Sequence, residues 1–456
     1  MKLLNLTDQI YCVTYNDGDV VYVEYGVPED IVDIQYLYKK KKIVFAKIDK
    51  IINPSPFRII PICKHFMKCG GCQWQHIIYD QQLKAKEQLV IDKLRNIAHV
   101  TNNILPIIKA DNIFEYRNKL EYTFSNTKWL EDNELKSDNI NNNQNVLGFH
   151  KKGFYNKIIN IEKCYLQKDI SNNIRNKVSK FCLSNDYSFY DFNKHIGNLR
   201  NLIIKTTLLG EIMVIVQFGN IEEHKIKNLM KFIKDSFPEI NSLQYVINLK
   251  NNETFFDLPI ICYSGEKYIY EQMNHLKWRI GPKSFFQMNT PQAIKLYDKI
   301  IELGNINKND IIYDFYTGIG TIALYIAKYC KRVIGIELIE EAIENAKINA
   351  KINNINNVEF FVNDIKNITK DGNIDIYTHV DIIIVDPPRS GLDKKVIDII
   401  KTIKPSKLIY VSCNVSTQAR DISYILDIYD IMTIQPIDMF PQTSHIENII
   451  VLKIKE

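Results

Sequence analysis

Two reactive side chains adjoin apolar segments near the C-terminal end of the sequence. Cys413 follows LIYVS and precedes a helical segment, and Glu447 precedes the apolar run NIIVL. A helix N-terminus and the cation of Arg389, in DPPRSGL, would favour a thiolate at Cys413, and apolar neighbours would raise the basicity of Glu447. Such a nucleophile and base would support covalent catalysis. Position alone leaves a second interpretation open, in which Cys413 is a buried small hydrophobe and Glu447 a solvated edge residue.

Four predicted strands carry polar or flexible residues at their carboxyl ends, where doubly wound sheets bind ligands. IIYDFYTGIGTIAL combines a strand, a turn with two glycines and a helix, so that backbone can approach a ligand closely. VIGIEL ends in Glu337, from where an acidic residue binds ribose hydroxyls. Asp364 follows VEFFV and would fall near an adenine, and Asp386 closes DIIIV. Each carboxylate alone is also explained as a loop residue or helix cap, but together they favour a nucleoside cofactor.

A cysteine cluster precedes these segments. CKHFMKCGGCQWQH contains Cys63, Cys69 and Cys72, and its glycines let several thiolates converge on one centre; Cys164, in IEKCYLQ, is the best candidate for a fourth ligand. The nine cysteines are an odd number and the rest are scattered, which favours a metal site over a disulfide framework. Four thiolates suit zinc or an iron–sulfur cluster, and their spacing leaves both open. The cysteines predicted to be packing residues are Cys12, Cys182, Cys262 and Cys330.

The composition indicates a globular protein of two or three domains. The chain has 456 residues, of which 46% are hydrophobic and 24% charged. The net charge of +5 permits a polyanionic partner without requiring one. The start of the sequence lacks the pattern of a signal peptide, and the purely apolar runs are far shorter than the roughly 20 residues that span a bilayer. We therefore expect a soluble, cytoplasmic protein with no membrane contact.

Three kinds of sequence pattern follow one another along the chain. Short alternating runs up to residue 56 predict a small β-barrel, with a lysine run at residues 39–42. Residues 79–97 have the spacing of an amphipathic helix, and the asparagine-rich residues 131–146 predict an exposed hairpin loop. Beyond about residue 280, apolar strands alternate with long helical patterns, which predicts a parallel doubly wound sheet.

The segments DPPRSGL, SCN followed by Thr417 and ARD, and FPQTSHIE resemble the uracil-5 RNA methyltransferase family. The resemblance implies that Cys413 attacks ring carbon 6 of a uridine, so that carbon 5 can take the methyl group of S-adenosylmethionine. It also implies that Glu447 is the base that removes the carbon 5 proton and so expels the cysteine. Both groups are needed because carbon 5 is unreactive until carbon 6 is saturated.

The resemblance extends to GPKSFFQMN and implies a set of S-adenosylmethionine ligands. That set is Gln287, Tyr316, Thr321, Glu337, Asp364 and Asp386. One position departs from the family, because Val415 stands where a proline usually follows SCN. We expect activity to survive this change.

The N-terminal half is similar to the subfamily that carries a TRAM barrel and a four-iron four-sulfur (4Fe-4S) cluster. This similarity implies that Cys63, Cys69, Cys72 and Cys164 hold such a cluster rather than zinc, in a structural or RNA-positioning role. It also implies that the barrel binds RNA through basic loops and stacking aromatics. Tyr11, Tyr15, Tyr22 and Tyr25 could stack on bases or form the barrel core, and Arg117 and Lys119, in YRNKLEYTF, could meet phosphates.

These observations predict an α/β chain with a Rossmann-like class I methyltransferase domain, a small TRAM/OB-like β-barrel and a mixed α+β central domain. The predicted divisions are 1–56 for the barrel, 57–277 for the central domain with the cluster and 278–456 for the catalytic domain. The predicted reaction converts uridine to 5-methyluridine, and barrel and cluster together favour 23S rRNA as the substrate. No obligate protein partner is evident.

Three alternatives accompany this prediction. The same chemistry could act on the T-loop uridine of tRNA, because the sequence has no readable base code. The chain could instead be a non-catalytic ribosome-assembly or RNA-binding factor, although such a factor would need neither Cys413 nor Glu447. Methylation of an adenine or cytosine amino group is also suggested by DPP, but those sites usually place an aromatic after the prolines, where this chain has Arg389.

Overall fold

A small closed β-barrel forms the N-terminal part of the computed structural model, which describes residues 1–101, 103–130, 134, 144–368 and 380–456. Alternate apolar side chains of five strands, such as those of Cys12 and Val21, fill its interior. A bridge between Lys2 and Ile31 joins the two sheet edges. The strands pair in the order β1-β2-β3-β5-β4 and are β1 (Asn5–Leu6), β2 (Tyr11–Asn16), β3 (Asp19–Glu24), β4 (Ile31–Lys40) and β5 (Ile43–Asn53).

One long helix, α1 (Tyr79–Ala98), connects the barrel with the rest of the chain and confirms the predicted amphipathic helix. Val90 and Leu94 on its apolar face are fully buried, and they belong to the same core as Ala419 and Ile422 near the other end of the chain. Burial of one apolar stripe explains why this charged sequence forms a stable helix. Residues early in the chain thereby become part of the C-terminal core.

A seven-stranded sheet with two helices on one face forms the middle of the chain. Its order is β12-β11-β10-β9-β6-β7-β8, and a two-stranded hairpin follows it. The predicted loop at residues 131–146 lies largely outside the described residues. The elements are β6 (Lys119–Ser125), β7 (Val146–His150), β8 (Ile158–Asn160), α2 (Asp169–Ser184), β9 (Leu199–Thr206), β10 (Ile212–Phe218), α3 (Glu223–Ser236), β11 (Ser242–Ile247), β12 (Ile260–Gly265), β13 (Ile269–Met273) and β14 (Leu276–Ile280).

The last part of the chain folds into a second seven-stranded sheet, in the order β17-β16-β15-β18-β19-β21-β20. The first five strands of this order are parallel and β21 is antiparallel to both of its neighbours. The elements are α4 (Thr290–Gly304), β15 (Ile311–Phe315), α5 (Thr321–Ile326), β16 (Arg332–Glu337), α6 (Glu340–Ile352), β17 (Val358–Val362), β18 (Ile382–Val385), α7 (Lys394–Ile403), β19 (Lys407–Ser412), α8 (Val415–Ser423), β20 (Tyr429–Ile437) and β21 (Glu447–Ile454).

This doubly wound sheet confirms the predicted α/β class. Its central strand β18 reads IIIV and is buried along its whole length, because helices cover both faces of a parallel sheet. The division of the chain at residues 56 and 277 stays a prediction. In the described part of the chain, none of the helices has the length and apolar character needed to cross a membrane.

Candidate functional site

The carboxyl ends of the parallel strands carry the polar residues that the sequence placed there. Glu337 is the last residue of β16, and Asp386 directly follows β18. Cys413 directly follows β19, and Asp364 lies two residues beyond β17, where it caps a short 3-10 helix by accepting from the backbone N–H of Lys366 at 3.0 Å. Parallel strands bring these residues to one edge of the sheet, where ligands of doubly wound folds bind.

The turn after β15 provides backbone amides at this edge. Tyr316 has φ of 63° and Gly320, the cap residue of α5, has φ of 82°. A side chain at Gly320 would meet the ring of Phe360 at 2.8 Å, so glycine is required there. The N–H of Gly318 donates to Glu337 Oε2 at 3.2 Å, which fixes that carboxylate beside the turn. Thr321 begins α5 and hydrogen-bonds the buried phenol of Tyr297.

Asp314 lies beneath this turn and was not predicted from the sequence. Its Oδ2 accepts from the hydroxyl of Thr317 at 2.5 Å and from the N–H of Ala323 at 3.2 Å. Burial is the main cause that raises the pKa of Asp314 to about 7. The signal that could have found it is its position inside an apolar strand, since a buried carboxylate needs a local partner.

Asp386 joins the cofactor side of the site to the reactive side. The Nε2 of Gln287, from the loop that follows β14, lies 3.5 Å from Asp386 Oδ2. Burial raises the pKa of Asp386 to about 7. The charge of Asp386 in turn raises the pKa of Glu447, although burial is the larger cause of that upward shift. Two buried carboxyl groups this close retain a proton more readily than either would alone.

Glu447 is the first residue of β21 and is 3% exposed. Among the described residues, its Oε2 atom has no hydrogen-bond partner. A buried carboxylate oxygen without a partner is costly in a folded protein, so it marks a place where a polar group of a ligand or substrate is expected. The sequence prediction that apolar neighbours surround Glu447 agrees with this burial.

Cys413 lies between β19 and α8 at the mouth of a small cavity. The cavity has a volume of about 250 Å³ and is also lined by Arg389, His445 and Ser416. Asn414 caps α8 by accepting from the N–H of Ser416 at 3.1 Å, and its Nδ2 donates to the carbonyl of Arg389 at 3.0 Å. These two bonds hold the loop without a proline.

Val415 therefore occupies the first helical position of α8, where proline is favoured but not required. Its side chain is buried. Gly391, two residues after Arg389, has φ of 79°, and a side chain there would meet Asp421 Oδ2 at 2.4 Å. The geometry of the wall around Cys413 is thus set by a cap, a glycine and packing.

Burial and neighbouring charges decide the protonation state of Cys413. Burial raises the pKa of its thiol to about 11, and the nearby charges of Glu447 and Asp386 act in the same direction. Arg389 lowers the pKa of the thiol, but burial and the two carboxylates together raise it by more. Arg389 therefore favours the thiolate as the sequence indicated, but desolvation and two neighbouring carboxylates outweigh one guanidinium, and the net shift of the pKa is upward.

The four cysteines of the predicted cluster line one cavity of about 990 Å³ in the central part of the chain. Burial raises the pKa of Cys69 to about 12, and the charges of Cys164 and Cys63 act in the same direction. The same two thiols raise the pKa of Cys72, again after burial. Thiols that influence one another in this way are near neighbours. Within the described ranges, however, no three His, Cys, Asp or Glu side chains are placed to hold one metal ion.

Basic residues surround the same cavity. Arg117, Lys119, Lys151 and Lys152 line it together with the cysteines. Arg117 lies 5.5 Å from the centre of the Phe440 ring, seven residues before Glu447 in the sequence, and its guanidinium is 3.1 Å from Met288 Sδ. The structure therefore places the predicted phosphate contacts Arg117 and Lys119 beside the cysteine cluster, and Arg117 also contacts the ring of Phe440.

The barrel tyrosines divide into two groups. Tyr11, Tyr22 and Tyr25 are half-buried, and the rings of Tyr11 and Tyr22 both pack against Phe45. Tyr15 is exposed. The lysine run lies exposed at the turn between β4 and β5, where Lys39 pairs with Asp19. None of the four tyrosines belongs to the group of side chains that fills the barrel, so the interpretation as barrel core is wrong, and stacking on bases stays a prediction.

The order of the second seven-stranded sheet and the carboxylates at its strand ends define a class I, S-adenosylmethionine-dependent methyltransferase. A family model described as tRNA (uracil-5-)-methyltransferase matches residues 206–455. This protein belongs to that family of RNA uracil-5 methyltransferases. The family named in the sequence analysis is thereby confirmed, and the use of S-adenosylmethionine for RNA methylation with it.

Relatives of similar length extend this likeness over the whole chain. An RNA methyltransferase of Bacteroides thetaiotaomicron, described as uncharacterized, is 43% identical over 440 residues, which are 96% of this chain and 97% of the relative. One from Porphyromonas gingivalis, described in the same words, is 39% identical over 460 residues, which are 99% of each chain.

A solved structure shares the architecture. It is the Pyrococcus abyssi tRNA (uracil-54, C5)-methyltransferase in complex with S-adenosyl-L-homocysteine, with a TM-score of 0.74, 27% identity and 99% coverage of both chains. Its bound S-adenosyl-L-homocysteine is the demethylated form of the cofactor. The barrel, the central sheet and the catalytic sheet therefore recur together in an enzyme of this class.

Proposed function

We propose that this protein methylates carbon 5 of a uridine in RNA by covalent catalysis, with Cys413 as the nucleophile and Glu447 as the base. The observation that carries the proposal is the convergence of the two side chains at one buried site. Cys413 follows β19, and Glu447 is the first residue of β21. They lie close enough that the charge of Glu447 raises the pKa of the Cys413 thiol. Burial of a carboxylate beside a thiol costs free energy, and a protein that only binds RNA would gain nothing from it.

The residues around Cys413 assign an order to the proton movements. Cys413 is a thiol in the free site, so as its sulfur adds to carbon 6 of the uracil, its proton passes to solvent water and the electrons of the carbon 5–carbon 6 double bond move toward the oxygen at carbon 4. Arg389 lowers the pKa of the thiol and stabilises the negative charge that develops on the sulfur. Entry of a base into the cavity also removes water, which strengthens that interaction. The nucleophile is thus activated when substrate binds rather than before.

The carboxyl ends of β15 to β18 fit S-adenosylmethionine. S-adenosylmethionine supplies an electrophilic methyl group on a sulfonium. We propose that Glu337, fixed by the N–H of Gly318, binds the ribose hydroxyls and that Asp364, the cap of a short 3-10 helix, contacts the adenine. Asp386 and Gln287 lie where the cofactor side meets the reactive side, and Tyr316 and Thr321 complete the set. The buried oxygens of Asp314 and Glu447 that lack a partner within the described part of the chain mark the polar interior that a bound ligand would complete.

Glu447 completes the reaction by accepting the proton from carbon 5, after which the bond from carbon 6 to the sulfur of Cys413 breaks. A carboxylate in water is a weak base, and burial beside Asp386 raises the pKa of Glu447. The upward shift brings its proton affinity closer to what this step needs. The products are 5-methyluridine and the thiolate of Cys413, which takes up a proton from solvent to regenerate the thiol.

We propose 23S rRNA as the substrate. The support is the combination of a barrel with an exposed lysine turn and a cysteine cluster bordered by basic side chains, which resembles the ribosomal branch of the family. The T-loop uridine of tRNA is the second candidate. It is favoured by the Pyrococcus abyssi structure, a tRNA (uracil-54, C5)-methyltransferase that shares the fold over 99% of both chains. Both candidates use the same chemistry, in the cytoplasm.

We further propose that Cys63, Cys69, Cys72 and Cys164 hold a 4Fe-4S cluster. The four thiols line one cavity, and no three side chains among the described residues are placed to hold one ion. Four thiolates suit zinc or an iron–sulfur cluster, and the resemblance to the cluster-bearing subfamily favours the cluster. Bound iron would offset the mutual repulsion that raises the pKa values of Cys69 and Cys72. Methyl transfer needs no electron, so the role proposed for the cluster is structural.

The test of the reaction and the substrate is a transfer assay. Purified protein is incubated without oxygen with labelled S-adenosylmethionine and with rRNA or tRNA that lacks 5-methyluridine, and the nucleosides are then analysed and mapped. We expect label in 5-methyluridine from 23S rRNA. Label from tRNA alone would keep the chemistry and replace the substrate, and absence of label from both would overturn the enzymatic proposal.

The cluster has its own test. Iron and acid-labile sulfide are measured in anaerobically purified protein, together with the visible absorption of the cluster. We expect both elements in the wild type and their loss in Cys164→Ser, whereas Cys262→Ser on the edge strand β12 retains them. Zinc in place of iron and sulfide would overturn the assignment.

A further inference from the structure

The loop that precedes Glu447 is held by residues that lie far from it in the sequence. This loop, residues 438–446, connects β20 to β21 and is called here the catalytic-base loop. Lys86 of α1 is fully buried, and its Nζ donates to Asp438 Oδ1 at 2.6 Å. The phenol of Tyr116 donates to the carbonyl of Pro441 at 3.0 Å. Both contacts cross more than 300 residues of sequence.

Gln73 makes the contact nearest to Glu447. Its side-chain Oε1 accepts from the backbone N–H of Ser444 at 3.0 Å and from the Ser444 hydroxyl at 2.7 Å. Its backbone N–H donates to the carbonyl of Gln442 at 2.8 Å. Ser444 precedes His445, which bonds Arg389 beside Cys413. The Ser444 hydroxyl also lies 2.7 Å from the carbonyl of Asp8, so Gln73 is one of the groups that hold the segment leading to both reactive groups.

The backbone of the catalytic-base loop requires such support. Gln442 has φ of 69°, which is unfavourable for a residue with a side chain. A reciprocal pair of bonds holds it, because the N–H of Gln442 donates to Gln82 Oε1 at 3.0 Å and Gln82 Nε2 donates to Gln442 Oε1 at 3.0 Å. An energetically costly conformation that is fixed by buried partners is typical of functional sites.

The segment of residues 73–75 also contacts the cysteine loop, residues 63–72. Gln73 directly follows Cys72 in the sequence, and two residues later Gln75 points the other way. The Oε1 of Gln75 accepts from the N–H of Cys63 at 3.3 Å, and its side chain hydrogen-bonds Cys72. Gln73 therefore contacts the catalytic-base loop, and Gln75 contacts the cysteine loop.

We propose that Gln73 is a positioning residue for Glu447, and that residues 73–75 tie the order of the cysteine loop to that of the catalytic-base loop. The role rests on the proposed function of Glu447 as the base. Gln73 contacts Ser444, three residues before Glu447, so its effect is on the placement of the carboxylate. The expected consequence of losing it is slow removal of the carbon 5 proton.

Three glutamine variants test the role in catalysis. Gln73→Ala removes the acceptor, Gln73→Glu keeps an acceptor oxygen for Ser444, and Gln88→Ala is the matched control on the exposed side of α1. We expect Gln73→Ala to lower kcat about tenfold, with KM for RNA and binding of S-adenosylmethionine within twofold of wild type, and to accumulate the covalent RNA adduct. Gln73→Glu is expected to restore kcat. A kcat for Gln73→Ala within twofold of wild type would overturn the proposal.

Hydrogen–deuterium exchange of the full-length protein gives a readout that needs no methyl transfer. We expect Gln73→Ala to speed exchange most in residues 442–446 and, through the tie between the loops, to a smaller extent in residues 63–72. Gln75→Ala is expected to speed exchange in both segments. A Gln75→Ala effect confined to residues 63–72 would overturn the tie between the loops. Faster exchange in residues 442–446 of Gln73→Ala supports the positioning role even where wild-type protein transfers no methyl group, in which case only the proposed function fails.

Discussion

The guanidinium of Arg389 lies 2.7 Å from Nδ1 of His445 and also lowers the pKa of the neighbouring Cys413 thiol. Burial and the charge of Arg389 lower the pKa of His445 to about 4, so its ring is neutral and can accept from the guanidinium. His445 thereby orients a cation toward the nucleophile. Neither the histidine nor this contact was predicted from the sequence, although FPQTSHIE contains it.

Removal of the Arg389 cation will make Cys413 less reactive. Arg389 lowers the pKa of the thiol, so its loss in Arg389→Met raises that pKa further and moves the pH profile of thiolate formation upward. At a fixed pH of about 8, the alkylation rate should fall about tenfold for each unit by which the pKa of the thiol rises. Iodoacetamide labelling of Cys413, followed by peptide mass spectrometry, measures it. Arg389→Lys keeps the charge and should lose less, and an unchanged rate in Arg389→Met would contradict the argument.

Glu447→Gln will trap the enzyme on its RNA. The amide cannot take the proton from carbon 5, so the bond between carbon 6 and Cys413 persists after methyl transfer. The adduct should survive denaturing gel electrophoresis as a slowly migrating RNA band. The control is Glu344→Gln on the exposed side of α6, which should turn over normally. Release of methylated RNA by Glu447→Gln at the wild-type rate would exclude Glu447 as the base.

Cys413→Ala will abolish turnover and leave cofactor binding intact. The sulfur is the atom that bonds to carbon 6, whereas the proposed cofactor ligands come from other strands. Isothermal titration should give a dissociation constant for S-adenosylmethionine within about twofold of wild type, and no RNA adduct should form. Cys262→Ala, at the edge of the central sheet, is the matched control. Methyl transfer by Cys413→Ala at the wild-type rate would require another mechanism.

Asp314 will make the stability of the fold depend on pH. Burial raises its pKa from 3.8 to about 7, so the folded state binds a proton that the unfolded state releases between these values. Its contribution to the free energy of unfolding is complete below pH 3.8 and is lost as pH rises through about 7, with a slope of at most about 1.4 kcal/mol per pH unit.

Asp314→Asn removes that titration while keeping a side-chain oxygen for Thr317 and Ala323. Urea denaturation at a series of pH values between 4 and 7 should show a shallower decline for Asp314→Asn than for wild type. The charges of Asp386 and Glu337 also face Asp314 and contribute to its shift, so the decline should be reduced rather than eliminated. Parallel curves for the two proteins would show that Asp314 does not titrate in this range.

Strand ends were the predictable part of the site. Apolar runs followed by Glu337, Asp386 and Cys413 placed these residues at one sheet edge, because parallel strands end together. The helix at residues 79–97 was equally clear from its period. The contacts made by its buried polar side chains were not, since periodicity indicates which face is buried and does not identify the partner.

Electrostatics at the site depended on tertiary structure. The sequence suggested a thiolate at Cys413 because it shows a nearby arginine and a helix start. Burial and the approach of Asp386 and Glu447 arise only when β18, β19 and β21 assemble, and they raise the pKa of the thiol instead. The anchoring of residues 438–446 by Gln73 and Lys86 was likewise unpredictable, because these contacts join positions more than 300 residues apart.

The buried pair of Lys86 and Asp438 should be among the most sensitive positions in the fold. Both side chains are 0% exposed, and Asp438 also accepts from the phenol of Tyr79 at 2.9 Å. Lys86→Met leaves the carboxylate buried without its cation, a loss that typically costs about 3–5 kcal/mol. Lys84→Met, on the exposed side of the same helix, should change the free energy of unfolding by less than about 0.5 kcal/mol.

A double-mutant cycle separates the pair from the rest of the helix. Asp438→Asn alone strands the ammonium group, and the double variant Lys86→Met with Asp438→Asn buries no charge. Urea denaturation of the four proteins should therefore give a double variant that is less destabilised than the sum of the single variants by about 1–3 kcal/mol. Additive effects would show that the two side chains do not interact. Because the pair anchors the catalytic-base loop, Lys86→Met should also lower kcat, whereas Lys84→Met should not.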